Sequence, residues 1–315
     1  MTRTALILGA SGHFGHNAAN AFEAAGWTVR RYDRKTDTPE TAAPGADVIV
    51  NGMNPPDYRN WDREVPRITA LAIAAARASG ATLIVPGNVY NFGIQPGPWG
   101  PDTPHEPVTG KGRVRVEMER SYREAVAAHG LRVIVLRAGD FIDDTPGGTW
   151  MGEGILRDLK RGRVAYPGRT DIPHAWAYLP DLGRAAVALA ERRDTLPGFA
   201  DIPFPGYTLT GSELAEAVEE AAGRPLKRTR FPWWMLRLLS PVVKAAQGMR
   251  EMHYLWDTPH SLDGSAFHTA VPDFAFTPVE QALVPVVAAA QGKAISTQTS
   301  RWSDDTRSAP SPTSS

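Results

Sequence analysis

Ala5-Leu6-Ile7-Leu8-Gly9-Ala10-Ser11-Gly12-His13-Phe14-Gly15 decides the reading of this 315-residue chain. An apolar strand runs into three glycines at three-residue spacing, and a helix-compatible stretch, Asn17 to Ala25, follows. The glycine roles differ: Gly9 takes the positive φ of a tight turn, Gly12 lets a pyrophosphate approach the backbone, and Gly15 lets the helix pack on the strand. A helix N-terminus at this point offers unpaired N–H groups and a positive dipole end to phosphates. After the next strand pattern, Trp27-Thr28-Val29-Arg30-Arg31-Tyr32, comes Asp33, whose carboxylate can bond an adenosine ribose. A dinucleotide seat is therefore expected, with contacts from Gly9, Ser11, Gly12, His13, Phe14, Gly15, Asp33, Arg34, Asn51, Gly52 and Met53. The alternative is a glycine turn that serves only helix–strand packing.

Composition narrows the function classes. Thirty-four basic residues balance 34 acidic ones, so there is no electrostatic footprint for nucleic acid or an anionic membrane. The chain has no cysteine, which excludes disulfides and thiolate or cysteine-ligated metal chemistry. No apolar run is long enough to span a bilayer, and Met1-Thr2-Arg3-Thr4 leads straight into the first strand without a signal peptide, so a cytoplasmic protein is expected. No metal site is expected either, because the eight histidines and the carboxylates show no close ligand spacing.

Strand and helix patterns alternate through the first half, which predicts an α/β fold with a doubly wound parallel sheet covered on both faces. Strands are expected at 5–8, 28–32, 48–51, 82–85 and 132–136, and helices at 17–25, 65–78 and 114–128. The stretch from Asp33 to Asp47 is too short for a full helix and strand, so this unit should be abbreviated. Beyond it, a helix over 181–192 capped by Pro180-Asp181 is expected, and another begins at Thr210-Gly211-Ser212-Glu213 and ends at Gly223. Phe231-Pro232-Trp233-Trp234-Met235-Leu236 reads as a helix of a smaller domain packed on its neighbours, or as a dimer or membrane-surface helix. The domain expectation is 1–145 and 174–195 for the dinucleotide domain, 146–173 and 196–290 for the smaller α+β substrate domain, and a disordered tail over 291–315.

The residues resemble the extended short-chain dehydrogenase/reductase superfamily, in its NAD-dependent epimerase/dehydratase group. The resemblance rests on the Gly9/Gly12/Gly15 loop, Asp33, Ala46-Asp47-Val48-Ile49-Val50-Asn51, Val85-Pro86-Gly87-Asn88-Val89-Tyr90-Asn91-Phe92-Gly93, Leu136-Arg137-Ala138-Gly139-Asp140-Phe141, His174-Ala175-Trp176-Ala177-Tyr178-Leu179-Pro180-Asp181-Leu182 and Phe276-Thr277-Pro278. It implies a Rossmann domain, a small substrate domain and an active site in the cleft between them. The family's catalytic pair, a Tyr with a Lys four residues later, is absent. With Glu117 taken as the family's helix glutamate, the pair falls on Thr109 and Arg113, and the family's Ser or Thr partner falls on Pro86. Arg113 can still bond a ribose or a phosphate. The chain therefore looks like an atypical branch of the group it resembles.

Proton handling then falls to other residues. Tyr90 follows a sheet strand and stands in as proton donor, or packs beside the nicotinamide pocket. Lys111 is a substitute base, or an exposed lysine in a glycine-rich loop. His174 enters the cleft, His105 lies on the facing loop, and Asp140 stands where relatives carry Asn, as a base or as a turn residue. The catalytic candidates are Tyr90, Lys111 and His174. The cofactor is NAD or NADP: Asp33 favours NAD, while Arg30, Arg31, Arg34 and Lys35 are able to hold a 2′-phosphate. Three functions follow: an NAD(P)-dependent oxidoreductase or epimerase acting on a small polar substrate such as a sugar derivative, a cofactor-bound non-redox lyase or isomerase, or a non-catalytic NAD(P)-sensing regulator. A homodimer through the 114–128 helix is left open, since its charges equally suit a solvated face.

Overall fold

The computed structural model describes residues 3–55, 60–145, 147–239 and 244–292. The chain runs β1 (Thr4–Leu8), α1 (His13–Ala24), β2 (Thr28–Arg31), a single turn α2 (Pro39–Ala42), β3 (Val48–Asn51), α3 (Trp61–Ser79), β4 (Thr82–Gly87), α4 (Gly110–His129) and β5 (Val133–Arg137). Then come β6 (Asp140–Ile142), β7 (Arg163–Tyr166), β8 (Pro173–Tyr178), α5 (Leu179–Glu191), β9 (Phe199–Pro203), β10 (Tyr207–Thr210), α6 (Gly211–Ala222) and β11 (Lys227–Arg230). The remaining elements are α7 (Trp233–Leu239), α8 (Lys244–Glu251), α9 (Ser265–Ala270) and α10 (Val279–Gln291).

Six parallel strands form the main sheet in the order β2-β1-β3-β4-β5-β9. Alternate side chains feed two cores. Leu6, Leu8, Ile49, Leu83, Val85, Val133 and Val135 occupy one, and Ala5, Ile7, Val48, Val50, Ile84, Ile134 and Leu136 the other. Both faces are covered, so these strands read as continuous apolar runs. The abbreviated unit has a simple form. After β2 only α2 intervenes, closed by a Thr38/Thr41 capping box, and the chain then crosses to the far side of β1. No strand lies beyond β2 among the described residues, and Arg30 and Arg31 give this edge its charge.

The smaller half is built on a three-stranded sheet, β10-β8-β6, and a two-stranded one, β11-β7. Its core gathers Trp150, Trp176, Leu214, Val218, Trp256, Leu283 and Val286. Two strands pair across the expected domain bounds. Residues 199–203 fall in the 196–290 segment expected for the smaller domain, yet β9 pairs with β5 and closes the main sheet. Residues 174–178 were expected in the dinucleotide domain, but β8 belongs to the small sheet, between β10 and β6. The chain re-enters the first domain only with α5.

The cap of α5 also differs. Tyr178 is the N-cap residue and Pro180 lies in the first turn, where its missing N–H costs nothing. Asp181 is buried and accepts from the Thr277 backbone and hydroxyl, both at 2.7 Å. It anchors the Phe276-Thr277-Pro278 segment instead of capping a helix. Thr210 does cap α6, sharing a capping box with Glu213, and Gly223 ends that helix in the left-handed conformation. Trp233 packs on Trp150 and Phe231, while Trp234 is exposed, so α7 is in part a packed helix of the small domain. Among the described residues no helix is long and apolar enough to cross a membrane. The expected tail after residue 292 lies outside the described residues.

Candidate active-site cleft

Sheet order reverses at β1, because the chain steps to β2 on one side and then to β3 on the other. Ligands of open α/β sheets bind at such a switch point, beyond the carboxyl ends of the strands. A cleft of about 290 Å³ lies there. Gly12, His13 and Phe14 from the β1–α1 turn line it, with Asn51 to Asn54 from the end of β3 onward, Pro86 to Tyr90 from the end of β4 onward, and Ala138 to Phe141 after β5. Met118 and Tyr122 of α4, Trp61 of α3, and Gly148 to Trp150 complete its wall.

The glycine turn is built as tightly as its spacing implies. Gly9 has φ +74°, and a Cβ at Gly15 would lie 2.2 Å from the Gly9 carbonyl oxygen. Gly52 joins this packing: a Cβ there would meet Gly15 Cα at 2.9 Å, so the end of β3 presses on the start of α1. Gly12 caps α1 with no side-chain hydrogen bond, and no acidic residue lies in the first helical turn. The helix therefore presents bare N–H groups and its positive end.

His13 adds a charged tie across the cleft. Its Nδ1 meets the buried Asp143 carboxylate, which also accepts from Asn17 Nδ2 at 3.3 Å. The hydrogen bond that the His13 ring donates to Asp143 raises the His13 pKa above 6.5 despite partial burial. The sign follows: a raised imidazole pKa contributes stability below about pH 6.5, lost as pH rises through the folded value. An NMR titration should place the His13 midpoint above 6.5, and Asp143→Asn should bring it down. An unchanged midpoint would refute the tie.

The catalytic candidates separate. Tyr90 is buried on a 3-10 turn, lines the cleft and stacks on Trp61 at 6.3 Å. Lys111 does not reach the cleft, nor is it an exposed loop lysine: it is 6% exposed in the first turn of α4 and paired with Glu251 of α8. His174 lies one layer behind the wall, its Nε2 2.8 Å from Oδ2 of Asp140. His105 is also outside the cleft, beside Glu119 at 3.8 Å, and burial lowers its pKa.

Asp33 and Arg34 are exposed outside the enclosed cleft, and Asp33 Oδ1 accepts from the Lys35 N–H at 2.9 Å. Arg113 is exposed and does not line the cleft. Ser11 is exposed too. The placement of Arg113 depended on taking Glu117 as the helix glutamate. That residue is exposed and pairs with Arg120. The buried glutamate of α4 is Glu119, which receives two hydrogen bonds from Arg137 at 3.0 and 2.8 Å. With Glu119 as anchor, the family spacing puts Lys111 in the Tyr place and Arg115 in the Lys place, and Arg115 lines the cleft. Its guanidinium lies over Trp61 at 4.7 Å and donates to Asn54 Oδ1 at 3.0 Å. Thr109 is the N-cap of α4, accepting from the Gly112 N–H. Sequence reasoning missed Arg115, and the signal was Arg137, a buried arginine that needs buried carboxylates.

Among the described residues, His105, Glu119 and Asp201 offer ligand atoms within 4.8 Å of one another. The Arg137 guanidinium bridges the two carboxylates of this cluster and supplies the positive charge that a metal ion would bring.

No family model and no curated protein matches the chain. Solved structures do match. MoeE5 in complex with UDP-glucose and NAD has 15% sequence identity and a TM-score of 0.71, over 92% of this chain and 99% of that one. UDP-glucose 4-epimerase from Brucella ovis in complex with NAD matches at 13% identity and TM-score 0.69, with the same coverage. A partial consensus L-threonine 3-dehydrogenase matches at 19% and 0.70, again over 92% and 99%. The chain shares its fold with these solved structures over nearly their whole length.

Proposed function

We propose that this protein is an NAD-dependent oxidoreductase or epimerase acting on a small polar substrate, without the usual Tyr-x-x-x-Lys pair. The observation that carries the reading is one continuous cleft at the switch point. It runs from the uncapped start of α1 to the turn after β5 and holds Tyr90, Arg115 and Asp140 in its wall. The residues fit a dinucleotide. The first turn of α1 has N–H groups to give to a pyrophosphate, and Gly12 leaves the backbone open toward the cleft. Bound there, the nicotinamide supplies a hydride acceptor or donor. Arg115 would bond the nicotinamide ribose in place of the family lysine, and Tyr90 would pack beside the ring; both line the cleft.

NAD is favoured over NADP because two arginines of the basic cluster are engaged elsewhere. Arg30 donates to the carbonyl of Pro44 at 3.0 Å, and Arg31 forms two bonds to Glu23. Asp33 remains at the end of β2, where it repels a 2′-phosphate. The structural neighbours bound to NAD support the same choice.

Calorimetry on the purified chain should show NAD binding more tightly than NADP. Incubation with NAD and UDP-glucose, UDP-galactose, UDP-glucuronic acid or L-threonine should then convert at least one of them. Conversion without lasting NADH absorbance identifies an epimerase, and lasting absorbance a dehydrogenase. No NAD binding would overturn the reading.

A further inference from the structure

We propose that Asp140 is the catalytic proton acceptor of this cleft and that His174 positions it, an inference that rests on the nicotinamide-dependent reading above. Among the described residues that line the cleft, Asp140 is the one carboxylate. Backbone packing explains its place. A Cβ on Gly139 would lie 2.1 Å from the Ala175 carbonyl oxygen, so only glycine lets the β5–β6 turn press against β8. Asp140 thereby pairs in register with Trp176, and its Oδ2 meets His174 Nε2 at 2.8 Å.

The two side chains differ in exposure, 19% for Asp140 and 3% for His174. One carboxylate oxygen is thus committed to the protein, and the other, Oδ1, has no hydrogen bond among the described residues. His174 cannot swing. Trp256 stacks on it at 4.3 Å and 11°, and His260 meets it edge-on at 4.4 Å while stacking on Trp99 at 4.6 Å. His260 adds no charge: burial lowers its pKa well below 6.5, and its Nδ1 donates to the Thr258 carbonyl. Tyr166 of β7 also faces Asp140, and its phenol is pushed up by burial and by that carboxylate. Across the cleft stand Tyr90, Arg115 and His13.

Other proton carriers are less well placed. Lys111, at the family's tyrosine position by the corrected spacing, is turned to Glu251. Tyr122 is fully buried, and burial raises its pKa. The substrate O–H bond breaks and its proton goes to Oδ1, the C–H bond breaks with its electron pair leaving as hydride to NAD⁺, the oxidant, and C=O forms. The His174 N–H orients the carboxylate so that Oδ1 faces the substrate hydroxyl.

Asp140→Asn tests this, with Asp140→Glu as the conservative variant. The first readout needs no substrate. NAD⁺ carries a positive nicotinamide and NADH does not, so the ratio of NADH to NAD⁺ dissociation constants should fall about threefold or more in Asp140→Asn. Turnover with the converting substrate should fall about 10²–10⁴-fold in kcat, with partial rescue by Asp140→Glu. For His174, ¹⁵N spectra of the apoprotein should show the Nε2-protonated tautomer in the native chain and a shift toward Nδ1–H in Asp140→Ala. Native cofactor discrimination and native kcat in Asp140→Asn would overturn the proposal and leave the functional reading intact. Transfer of the kcat loss to Tyr90→Phe would overturn it too. Failure of the native chain to bind NAD would overturn both.

Discussion

Arg137→Met should destabilise the protein by about 3–5 kcal/mol in a denaturant titration. Arg137 is completely buried on β5 and donates to Glu119 at 3.0 and 2.8 Å, to Asp201 at 3.1 and 2.6 Å, and to the Asn88 carbonyl at 2.6 Å. Its removal leaves two carboxylates without a counter-ion between α4 and β9, where burial disfavours charge. The pH dependence separates this from a simple packing loss. Burial pushes the Glu119 pKa up, but the Arg137 charge outweighs it and the net shift is downward from 4.5. A depressed carboxylate contributes stability above its unfolded value, lost as pH falls through the folded one. The native chain should therefore lose this contribution only below about pH 4.5, whereas the variant's deficit should be largest at neutral pH and shrink on acidification. A deficit that does not vary with pH would show that the guanidinium acts only by filling space.

Gly12→Asp should abolish NAD binding while the fold survives. A Cβ at Gly12 meets only Gly9 and Gly52 carbonyl oxygens, at 3.4 and 3.6 Å, and the residue has ordinary extended dihedrals, φ −84° and ψ 161°. Aspartate is also a good N-cap residue, so helix α1 loses nothing. The new carboxylate would satisfy the N–H groups that a pyrophosphate requires and would repel its charge. The expected loss is about 100-fold or more in NAD affinity, equivalent to about 2.7 kcal/mol, with the unfolding midpoint near that of the native chain. Retained affinity in a folded Gly12→Asp protein would place the cofactor elsewhere and remove the basis of the functional reading.

The parts that local pattern controls were legible. An apolar run, a glycine turn and a helix start are neighbours in the chain, so Gly9, Gly12 and Gly15 announced the β1–α1 unit and the sheet around it. The shortened Asp33–Asp47 stretch likewise announced that a unit is cut down, because a helix and a strand need more residues than it has. Reading failed where the answer depends on which of two equivalent residues turns inward. Glu117 and Glu119 are two residues apart on one helix and chemically the same, and only the docking of α4 against β5 makes Glu119 the partner of Arg137. That choice moves the spacing by two residues and brings Arg115, not Arg113, to the cleft. Lys111 was unreadable for a related reason: its partner Glu251 lies 140 positions away on α8.

By itself the sequence determined a doubly wound sheet and a seat for phosphates at its first turn, because backbone dihedrals and hydrophobic period are set by residues a few positions apart. Only the tertiary structure decided which side chains stand beside that seat. Asp140 and His174 are 34 positions apart and become a pair when Gly139 lets β6 lie against β8, since a 2.8 Å hydrogen bond depends on packing that no local pattern encodes.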